Sequence, residues 1–301
     1  MKISEIAKQL DYEFCGIDID VISIKYAHAA KSNEIAIMRK TRDLDITEAQ
    51  CVLSRPAMVK TNKAILYSSD PVEFAAVKIA HILIGERREN GKNINYSMVD
   101  NYYIGENVYI GKNSYIAPNA YIDNNVSIGD NCYIAPNVHI GSGTQIRNGV
   151  RIGTGSMIGA DSFYHYYDEG LKEFAGLGKV VIGEDVTIGN NTTIQIGTFS
   201  DTIIGARCKI GNLIDIGHDV CVGQDCKIVS QTGIASDVVI GDRVTIFGQV
   251  GIANGVKIGN SAIVYAKSLV TKSIKDGKRV SGIYARDHAE EVKTQAKIRR
   301  L

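Results

Sequence analysis

The sequence lacks several features that would place it in a common class of protein. It has no tryptophan, only 4 prolines and no apolar run of about 18 residues, the minimum for a membrane-spanning helix. Its 34 basic and 33 acidic side chains leave a net charge of +1, which argues against a broadly basic nucleic-acid-binding domain. The N-terminus lacks the apolar segment of a signal peptide, so we expect a cytoplasmic protein without a membrane span.

Cysteine chemistry is not indicated either. The 6 cysteines include no Cys-x-x-Cys pair of the kind that binds zinc or exchanges disulfides. Without an export signal we expect reduced thiols that pack as small apolar side chains. The sequence therefore predicts no cysteine-based metal or redox site.

What the sequence does contain is a repeat of six residues. An aliphatic side chain recurs at every sixth position over residues 104–158, resumes over 182–194 and continues in a new phase over 204–270, giving 25 such positions. The residue two places before each is usually small or β-branched, and glycine often follows. One large and one small inward side chain per hexad fill a narrow interior, while glycine, asparagine and aspartate suit tight corners. The pattern predicts a parallel β-solenoid with three hexads per triangular coil and about eight coils.

The repeat divides the chain into three parts. Residues 1–90 lack it and predict a small α+β domain with a helix near each end. A charged linker at residues 85–95 leads to the solenoid at residues 98–274. Residues 275–301 are predicted to form a C-terminal segment with a short helix.

Two segments interrupt the repeat, although a solenoid needs no interruption to be stable. Residues 160–180 are rich in aromatic side chains and carry His165, so we predict a loop that lines a ligand cleft. The alternative is a loop that only packs on a neighbouring face. The shorter break at residues 195–202 shifts the phase of the repeat, and we expect it to shape the same cleft.

His218 has the most suggestive setting of the 6 histidines. It comes two residues after an inward isoleucine, at a corner that should face outward, with Asn212, Asp215 and Asp219 nearby in the sequence. An outward imidazole oriented by a carboxylate can act as a general base. His139 should also point outward, but the two histidines are about three coils apart, roughly 15 Å, which is too far for one zinc ion to join them.

The chain resembles the UDP-3-O-acylglucosamine N-acyltransferases, hexapeptide-repeat enzymes of lipid A biosynthesis. The segments that carry the likeness are ISEIAKQLDYEFCG, PVEFAAVKIAHIL, GADSF, IGHDVCVG and VSGIYARD, and they run from one end of the chain to the other. The resemblance implies a left-handed parallel β-helix and a homotrimer with active sites between the prisms. It implies that His218, in IGHDVCVG, is the catalytic general base. It also implies that residues 1–90 bind the substrate or its nucleotide.

Three further groups of site residues are expected. The group that supports His218 or the substrate consists of Asn212, Asp215 and Asp201. The substrate loop contributes Asp161, Phe163 and His165. Small residues that border the coil grooves would leave room for a slender pantetheine arm, and these are Ser236, Gly248, Gly251 and Ala266.

The function hypothesis is an N-acyltransferase that moves an acyl group from an acyl carrier protein thioester to the amine of a UDP-linked 3-O-acylglucosamine. The first alternative is a CoA-dependent N-acyltransferase that transfers acetyl or short acyl groups to another nucleotide-linked amino sugar. The second alternative is a non-catalytic β-helix scaffold. Either enzyme would use a phosphopantetheine thioester as donor and would need no metal and no permanently bound cofactor.

The chain departs from the family pattern in several segments. Residues 33–43, NEIAIMRKTRD, lack the aromatic side chains with which the family's N-terminal domain grips uracil. Residues 251–259 contain no second histidine, and residues 192–197 read TTIQIG where the family usually has TTIDRG. These departures favour a relative with an altered acceptor or donor.

Overall fold

The structure is a computed structural model that describes residues 1–55, 61–84, 94–174, 176–282, 293–294 and 296–298. Most of the predicted linker at residues 85–95 and of the predicted C-terminal helix lies outside these residues, as does most of the VSGIYARD segment. Within the described part of the chain, no helix is long and apolar enough to cross a membrane.

The N-terminal region is a mixed sheet with two helices. Its elements are α1 (Ile3–Leu10), β1 (Glu13–Cys15), β2 (Ser23–Tyr26), β3 (Glu34–Ile37), a 3-10 helix (Thr41–Asp45), β4 (Cys51–Ser54), β5 (Ala64–Tyr67) and α2 (Val72–Ile84). The strand order is β1-β5-β4-β3-β2, with β1 antiparallel to β5 and the other pairs parallel. The helices lie where the apolar spacing predicts them, because α1 buries Ile3 and Ile6 in the same cluster as Ile79 of α2.

Short strands follow one another through the rest of the chain. They are β6 (Ser97–Val99), β7 (Tyr102–Ile104), β8 (Tyr109–Ile110), β9 (Tyr115–Ile116), β10 (Tyr121–Ile122), β11 (Ser127–Ile128), β12 (Tyr133–Ile134), β13 (His139–Ile140), β14 (Gln145–Ile146), β15 (Arg151–Ile152), β16 (Met157–Ala160), β17 (Tyr164–Tyr167), β18 (Leu171–Phe174), β19 (Val180–Ile182), β20 (Thr187–Ile188), β21 (Thr193–Gln195), β22 (Thr202–Ile204), β23 (Lys209–Ile210), β24 (Asp215–Ile216), β25 (Cys221–Val222), β26 (Lys227–Ile228), β27 (Gly233–Ile234), β28 (Val239–Ile240), β29 (Thr245–Ile246), β30 (Gly251–Ile252), β31 (Lys257–Ile258), β32 (Ile263–Val264), β33 (Leu269–Val270) and β34 (Arg279–Val280).

These strands stack into the three walls of a prism. The first wall runs from β7 to β33 through β10, β13, β16, β21, β24, β27 and β30, with β6 added antiparallel at its end. The second wall runs from β8 to β31, and the third from β9 to β34. All 25 predicted key positions lie in these strands, and the side chains from Ile110 to Val270 meet in one apolar core along the prism. The predicted parallel β-solenoid is confirmed.

The corners show why asparagine, aspartate and glycine recur. Asn131 and Asp219 adopt the left-handed backbone conformation, with φ of 56° and 59°, which asparagine and aspartate tolerate better than most residues. Asp130 accepts the backbone N–H of Lys112, 18 residues earlier, at 2.6 Å. A Cβ atom on Gly111 would lie 2.4 Å from the same carboxylate oxygen, so a side chain there would clash with the next coil.

The insertion at residues 160–180 forms an antiparallel hairpin of β17 and β18. The hairpin packs on the N-terminal region, where the ring centroids of Tyr166 and Phe74 are 5.7 Å apart and those of Phe174 and His81 are 5.6 Å apart. Phe174 also stacks on Phe199, from the second break, at 5.4 Å. The two interruptions of the repeat therefore share one apolar cluster with the N-terminal helices and sheet.

Candidate active site

His218 lies at the corner that follows β24, outside the apolar interior of the prism. We expected an outward imidazole, but the residue is only 7% exposed. The hairpin causes this difference, because the ring of Tyr164 in β17 lies edge-on to the imidazole with a centroid distance of 5.9 Å. The histidine therefore faces away from the prism core and is covered from outside by the aromatic insertion.

The neighbouring residue, Asp219, orients the imidazole. Its Oδ2 atom lies 2.8 Å from Nδ1 of His218, and the hydroxyl of Thr198 lies 3.0 Å from the same nitrogen. An ionised carboxylate can only accept hydrogen bonds, so Nδ1 carries the proton and donates a hydrogen bond to Asp219. The tautomer that this contact favours leaves the Nε2 lone pair free to take a proton from a substrate.

Asp219 is held in place by the second interruption of the repeat. It accepts the backbone N–H of Thr198 at 3.0 Å, the N–H of Ser200 at 2.9 Å and the hydroxyl of Ser200 at 2.7 Å. Burial on its own raises the pKa of Asp219, but the hydrogen bonds from His218, Ser200 and Thr198 outweigh burial and hold that pKa below its usual range. The carboxylate is therefore ionised at neutral pH, as an orienting group for imidazole must be.

Two tyrosines complete the surroundings of this pair. Burial, with a contribution from the Glu73 carboxylate, raises the pKa of Tyr164 to about 12, so its phenol is neutral at physiological pH. Burial raises the pKa of Tyr26 further, and its ring lies edge-on to Phe199 at 5.5 Å. The imidazole of His218 thus contacts one neutral phenol, that of Tyr164, and one ionised carboxylate, that of Asp219.

The predicted supporting residues have other partners in the described structure. Asn212 accepts the backbone N–H of Asn190 at 2.7 Å as part of a corner ladder. Asp201 accepts the N–H of Lys179 at 3.2 Å. Asp215 is exposed overall. The part of its side chain that is buried raises its pKa, and a hydrogen bond from the Gln195 side chain only partly opposes this rise. The carboxylate that contacts His218 is that of Asp219, and a role of the other three toward substrate stays a prediction.

The predicted substrate-loop residues lie at the exposed edge of the hairpin. The Phe163 side chain is 77% exposed, and its ring lies edge-on to His165 at 4.5 Å. Its backbone N–H donates to the Gln195 side chain at 3.0 Å. Asp161 is exposed beside it. Since Gln195 also reaches Asp215, the loop is connected to the first wall of the prism, and its contact with substrate stays a prediction.

The four predicted groove residues flank one face of the prism. Gly248 and Ala266 lie at one corner of the first wall in successive coils, and Gly251 lies on that wall itself. Ser236 lies at the other corner, one coil of 18 residues after His218. Gly251 pairs in register with Gly233. At this outward-facing position of successive coils, no side chain therefore projects from the wall between Asp215 and Leu269. A bare strip therefore runs along the wall beside the corner of His218.

His139 forms a separate cluster near the start of the prism. Its Nε2 atom lies 2.8 Å from the nearly buried carboxylate of Asp123, which also accepts the hydroxyl of Tyr96. Along the first wall it is separated from His218 by three coils. In the described residues, no group of three or more histidine, cysteine, aspartate or glutamate side chains is arranged to hold a metal ion.

Several residues around His218 could not be identified from sequence. Thr198 and Ser200 carry no motif of their own, and the only signal was the break in the repeat that contains them. Tyr26 and Arg39 lie far away in the chain, and only the folded structure brings them to this corner. The contribution of Asp219 was visible as a nearby carboxylate but could not be distinguished from that of Asp215.

Comparison with known proteins agrees with this architecture. Residues 101–136 and 125–163 match the family model described as bacterial transferase hexapeptide (six repeats). The UDP-3-O-acylglucosamine N-acyltransferase of Dechloromonas aromatica (strain RCB) is 58% identical over 43 residues, which are 14% of this chain and 12% of that protein. The enzyme of the same name from Rhizobium meliloti (strain 1021) is 49% identical over 51 residues, which are 17% of this chain and 14% of that protein. The chain thus matches only about an eighth of the length of these curated relatives.

Solved structures extend the likeness to most of the chain. The UDP-N-acetylglucosamine acyltransferase of Francisella novicida superposes with a TM-score of 0.58 at 25% identity, covering 66% of this chain and 73% of that one. The corresponding protein of Bacteroides fragilis 9343 gives a TM-score of 0.55 at 29% identity, covering 59% and 68%. The chain therefore carries the hexapeptide repeat of bacterial transferases, and the predicted left-handed parallel β-helix is confirmed.

Proposed function

We propose that this protein is an N-acyltransferase in which His218 is the general base. The observation that carries the proposal is the buried contact between His218 and Asp219, which engages Nδ1 and leaves the Nε2 lone pair unprotonated, at a corner of the wall that carries Gly233 and Gly251. The curated relatives that match the repeat are N-acyltransferases by name, and the similar solved structures are acyltransferases.

The chemistry follows from the position of the base. The amine lone pair of the acceptor attacks the thioester carbonyl carbon, a C–N bond forms, and Nε2 of His218 takes the proton that leaves the nitrogen. The tetrahedral intermediate collapses with cleavage of the C–S bond, and the imidazolium returns its proton to the departing thiolate. Asp219 stabilises the transient imidazolium through Nδ1, as the ionised carboxylate of a catalytic dyad does.

The proposed acceptor is the amine of a UDP-linked 3-O-acylglucosamine, and the proposed donor is an acyl group on acyl carrier protein. The names of the relatives support the acceptor. The strip at Gly233 and Gly251 supports a phosphopantetheine arm, because a slender chain can lie against backbone where no side chain projects. Ser236, Gly248 and Ala266 would border this arm. In the substrate loop, Asp161, Phe163 and His165 would contact the acceptor, as would residues 1–90.

A CoA-dependent transfer of acetyl or short acyl groups to another nucleotide-linked amino sugar is the second candidate. It is favoured by the side chains at residues 33–43, where Ile37, Met38 and Arg39 stand instead of aromatic residues that could stack on uracil. A cytoplasmic homotrimer belongs to either candidate. A non-catalytic scaffold is disfavoured by the geometry of the site, because a scaffold has no need of an enclosed imidazole oriented by an ionised carboxylate.

Mass spectrometry of reaction mixtures tests the proposal. The wild-type protein is offered UDP- and dTDP-linked amino sugars, each with acyl carrier protein and CoA thioesters of several chain lengths, and is compared with His218→Gln. The matched control is His139→Gln, which removes the other histidine that contacts an aspartate at 2.8 Å on the same prism.

We expect a product in the wild type and in His139→Gln, and a loss of 10²-fold or more in His218→Gln, on the order of a general base's contribution. Product from UDP-3-O-acylglucosamine and a hydroxyacyl carrier protein would support the first candidate, and product only with CoA or another sugar the second. Equal rates in the two variants, or no transfer with any pair, would reject the mechanism.

A further inference from the structure

Arg39 links the N-terminal region to the prism. It follows β3, and its guanidinium lies 4.0 Å from the ring centre of Tyr26 in β2 while also donating to the Tyr26 hydroxyl. Its Nε atom lies 3.4 Å from Glu73 in α2, and its terminal nitrogen lies 3.3 Å from Asp237 of the prism. One side chain thus joins a strand, a helix and a coil corner.

The coil corner that Arg39 reaches is the one next to His218. Asp237 occupies the position 18 residues after Asp219, with the same left-handed backbone, and its N–H donates to the carbonyl of His218 at 3.1 Å. The guanidinium is therefore attached, through one residue, to the backbone that carries the imidazole.

A second connection runs through Tyr26. Its backbone N–H donates to the carbonyl of Phe199 at 3.2 Å, and the N–H of Phe199 lies 3.3 Å from Asp219. Arg39 therefore contacts two residues that lead to the pair formed by His218 and Asp219: Asp237 by one further hydrogen bond, and Tyr26 by two, through Phe199.

The partners of Arg39 argue against an anion-binding role. Glu73 and Asp237 already satisfy its charge, so a phosphate placed there would meet two carboxylates for one guanidinium. The same geometry suits a rigid link between the N-terminal region and the prism. A planar guanidinium that stacks on a ring while it donates in two directions loses little freedom for each contact that it makes.

We propose that Arg39 is a positioning residue, which holds the N-terminal region against the prism so that residues 198–200, Asp219 and His218 keep one arrangement. This inference rests on the proposed function only where it concerns catalysis.

The test uses the full chain with Arg39→Met and Arg39→Lys. Lysine keeps the charge but not the planar fork, so it should restore part of what methionine removes. The matched control is Arg207→Met, which breaks an exposed arginine–aspartate pair of 2.7 Å at a different corner of the prism. Asp237→Asn tests the same link from the prism side, in case Arg39→Met does not fold.

Hydrogen exchange is the first readout, because it needs no substrate. In Arg39→Met we expect the protection of the backbone amides of Thr198 and Ser200 to fall by roughly tenfold, with no change in Arg207→Met. Asp237→Asn should give the same loss. Full protection in both Arg39→Met and Asp237→Asn would overturn the inference whether or not the wild type transfers acyl groups.

Steady-state kinetics is the second readout. Since orientation of the base matters in the transition state, we expect kcat to fall roughly tenfold in Arg39→Met while the KM for the thioester donor changes less than about twofold. Arg39→Lys should lie between this variant and the wild type. The double variant Arg39→Met with Asp237→Asn should be no worse than Arg39→Met alone, since residues that act together are not additive. Additive losses, or an effect on the donor KM alone, would reject a positioning role.

Discussion

Asp219 contacts the imidazole of its own neighbour, His218, while it accepts hydrogen bonds from Thr198 and Ser200 about twenty residues earlier in the chain. Its left-handed φ of 59° turns the carboxylate back toward the preceding coil, where these donors lie. A single corner residue therefore fixes both the histidine and the segment that covers it.

Replacement of Asp219 should weaken the fold and abolish the function at once. In Asp219→Asn the amide can accept fewer of the five hydrogen bonds that the carboxylate accepts, so we expect a loss of about 2–4 kcal/mol in the free energy of unfolding. The amide also cannot stabilise an imidazolium, so we expect acyl transfer to be lost. Denaturant unfolding and the transfer assay measure both effects. Asp225→Asn is the control, because Asp225 has the same φ of 59° at an exposed corner. Equal destabilisation by the two variants would contradict the assigned network.

The contribution of Asp219 to the free energy of unfolding should decrease as the pH is lowered. Its pKa in the folded protein is lower than the unfolded value of about 3.9, so its contribution is complete above about pH 5 and is lost as the pH falls through the folded pKa. The difference in unfolding free energy between wild type and Asp219→Asn should therefore be constant near pH 7 and shrink below about pH 4. A difference that grew on acidification would show that the carboxylate is not ionised in the fold.

The covering of His218 by Tyr164 can be tested chemically. The His218 side chain is 9% exposed beneath this ring, so diethylpyrocarbonate should modify it slowly in the wild type and at least several-fold faster in Tyr164→Ala. Peptide mass spectrometry identifies the modified histidine. Tyr167→Ala, an exposed tyrosine of the same hairpin, is the control and should leave the rate unchanged. Fast modification in the wild type would show that the hairpin opens freely.

The bare strip on the first wall should accept one small side chain but not a large one. A Cβ atom on Gly251 would meet Leu269 at an ordinary 3.5 Å, so Gly251→Ala should fold normally, while Gly251→Leu would fill the strip. We expect Gly251→Leu to raise the KM for the thioester donor about tenfold, the effect of lost uniform binding. Thr245→Leu, on another wall, is the control. An unchanged donor KM in Gly251→Leu would place the pantetheine arm elsewhere.

The walls of the prism could be predicted because each hexad repeats the same local requirement. Every aliphatic key position lies in a strand, and those from Ile110 to Val270 pack in the interior, since period and packing coincide. His218 could be singled out for the same reason, as a departure from that regular background. The prediction of its exposure failed because the hexad says nothing about Tyr164, which belongs to an inserted hairpin.

The contacts that complete the site depend on residues far apart in the chain. Arg39 and Asp237 are separated by 198 residues, and although Asp237 occupies a repeating corner position, no pattern in the sequence pairs it with Arg39. Asp215 and Asp219 both lie within three residues of His218 in sequence, and in the structure it is Asp219, with its left-handed φ, that contacts the imidazole. These contacts are set by the packing of distant segments, and no local sequence pattern predicts them.

The hairpin at residues 160–180 enters and leaves the prism at the same corner. β16 before it pairs in register with β13, and β19 after it pairs in register with β14 and β22. The register between β16 and β21 shifts only between Ile158 and Ala160, where the insertion begins, so the walls continue past it. An inserted hairpin can thus add side chains beside a corner of such a solenoid while the supporting coils keep their stacking. In this scaffold the prism walls and the cover over His218 are separate parts, so substitutions in β17 and β18 should change the surroundings of His218 while the prism remains intact.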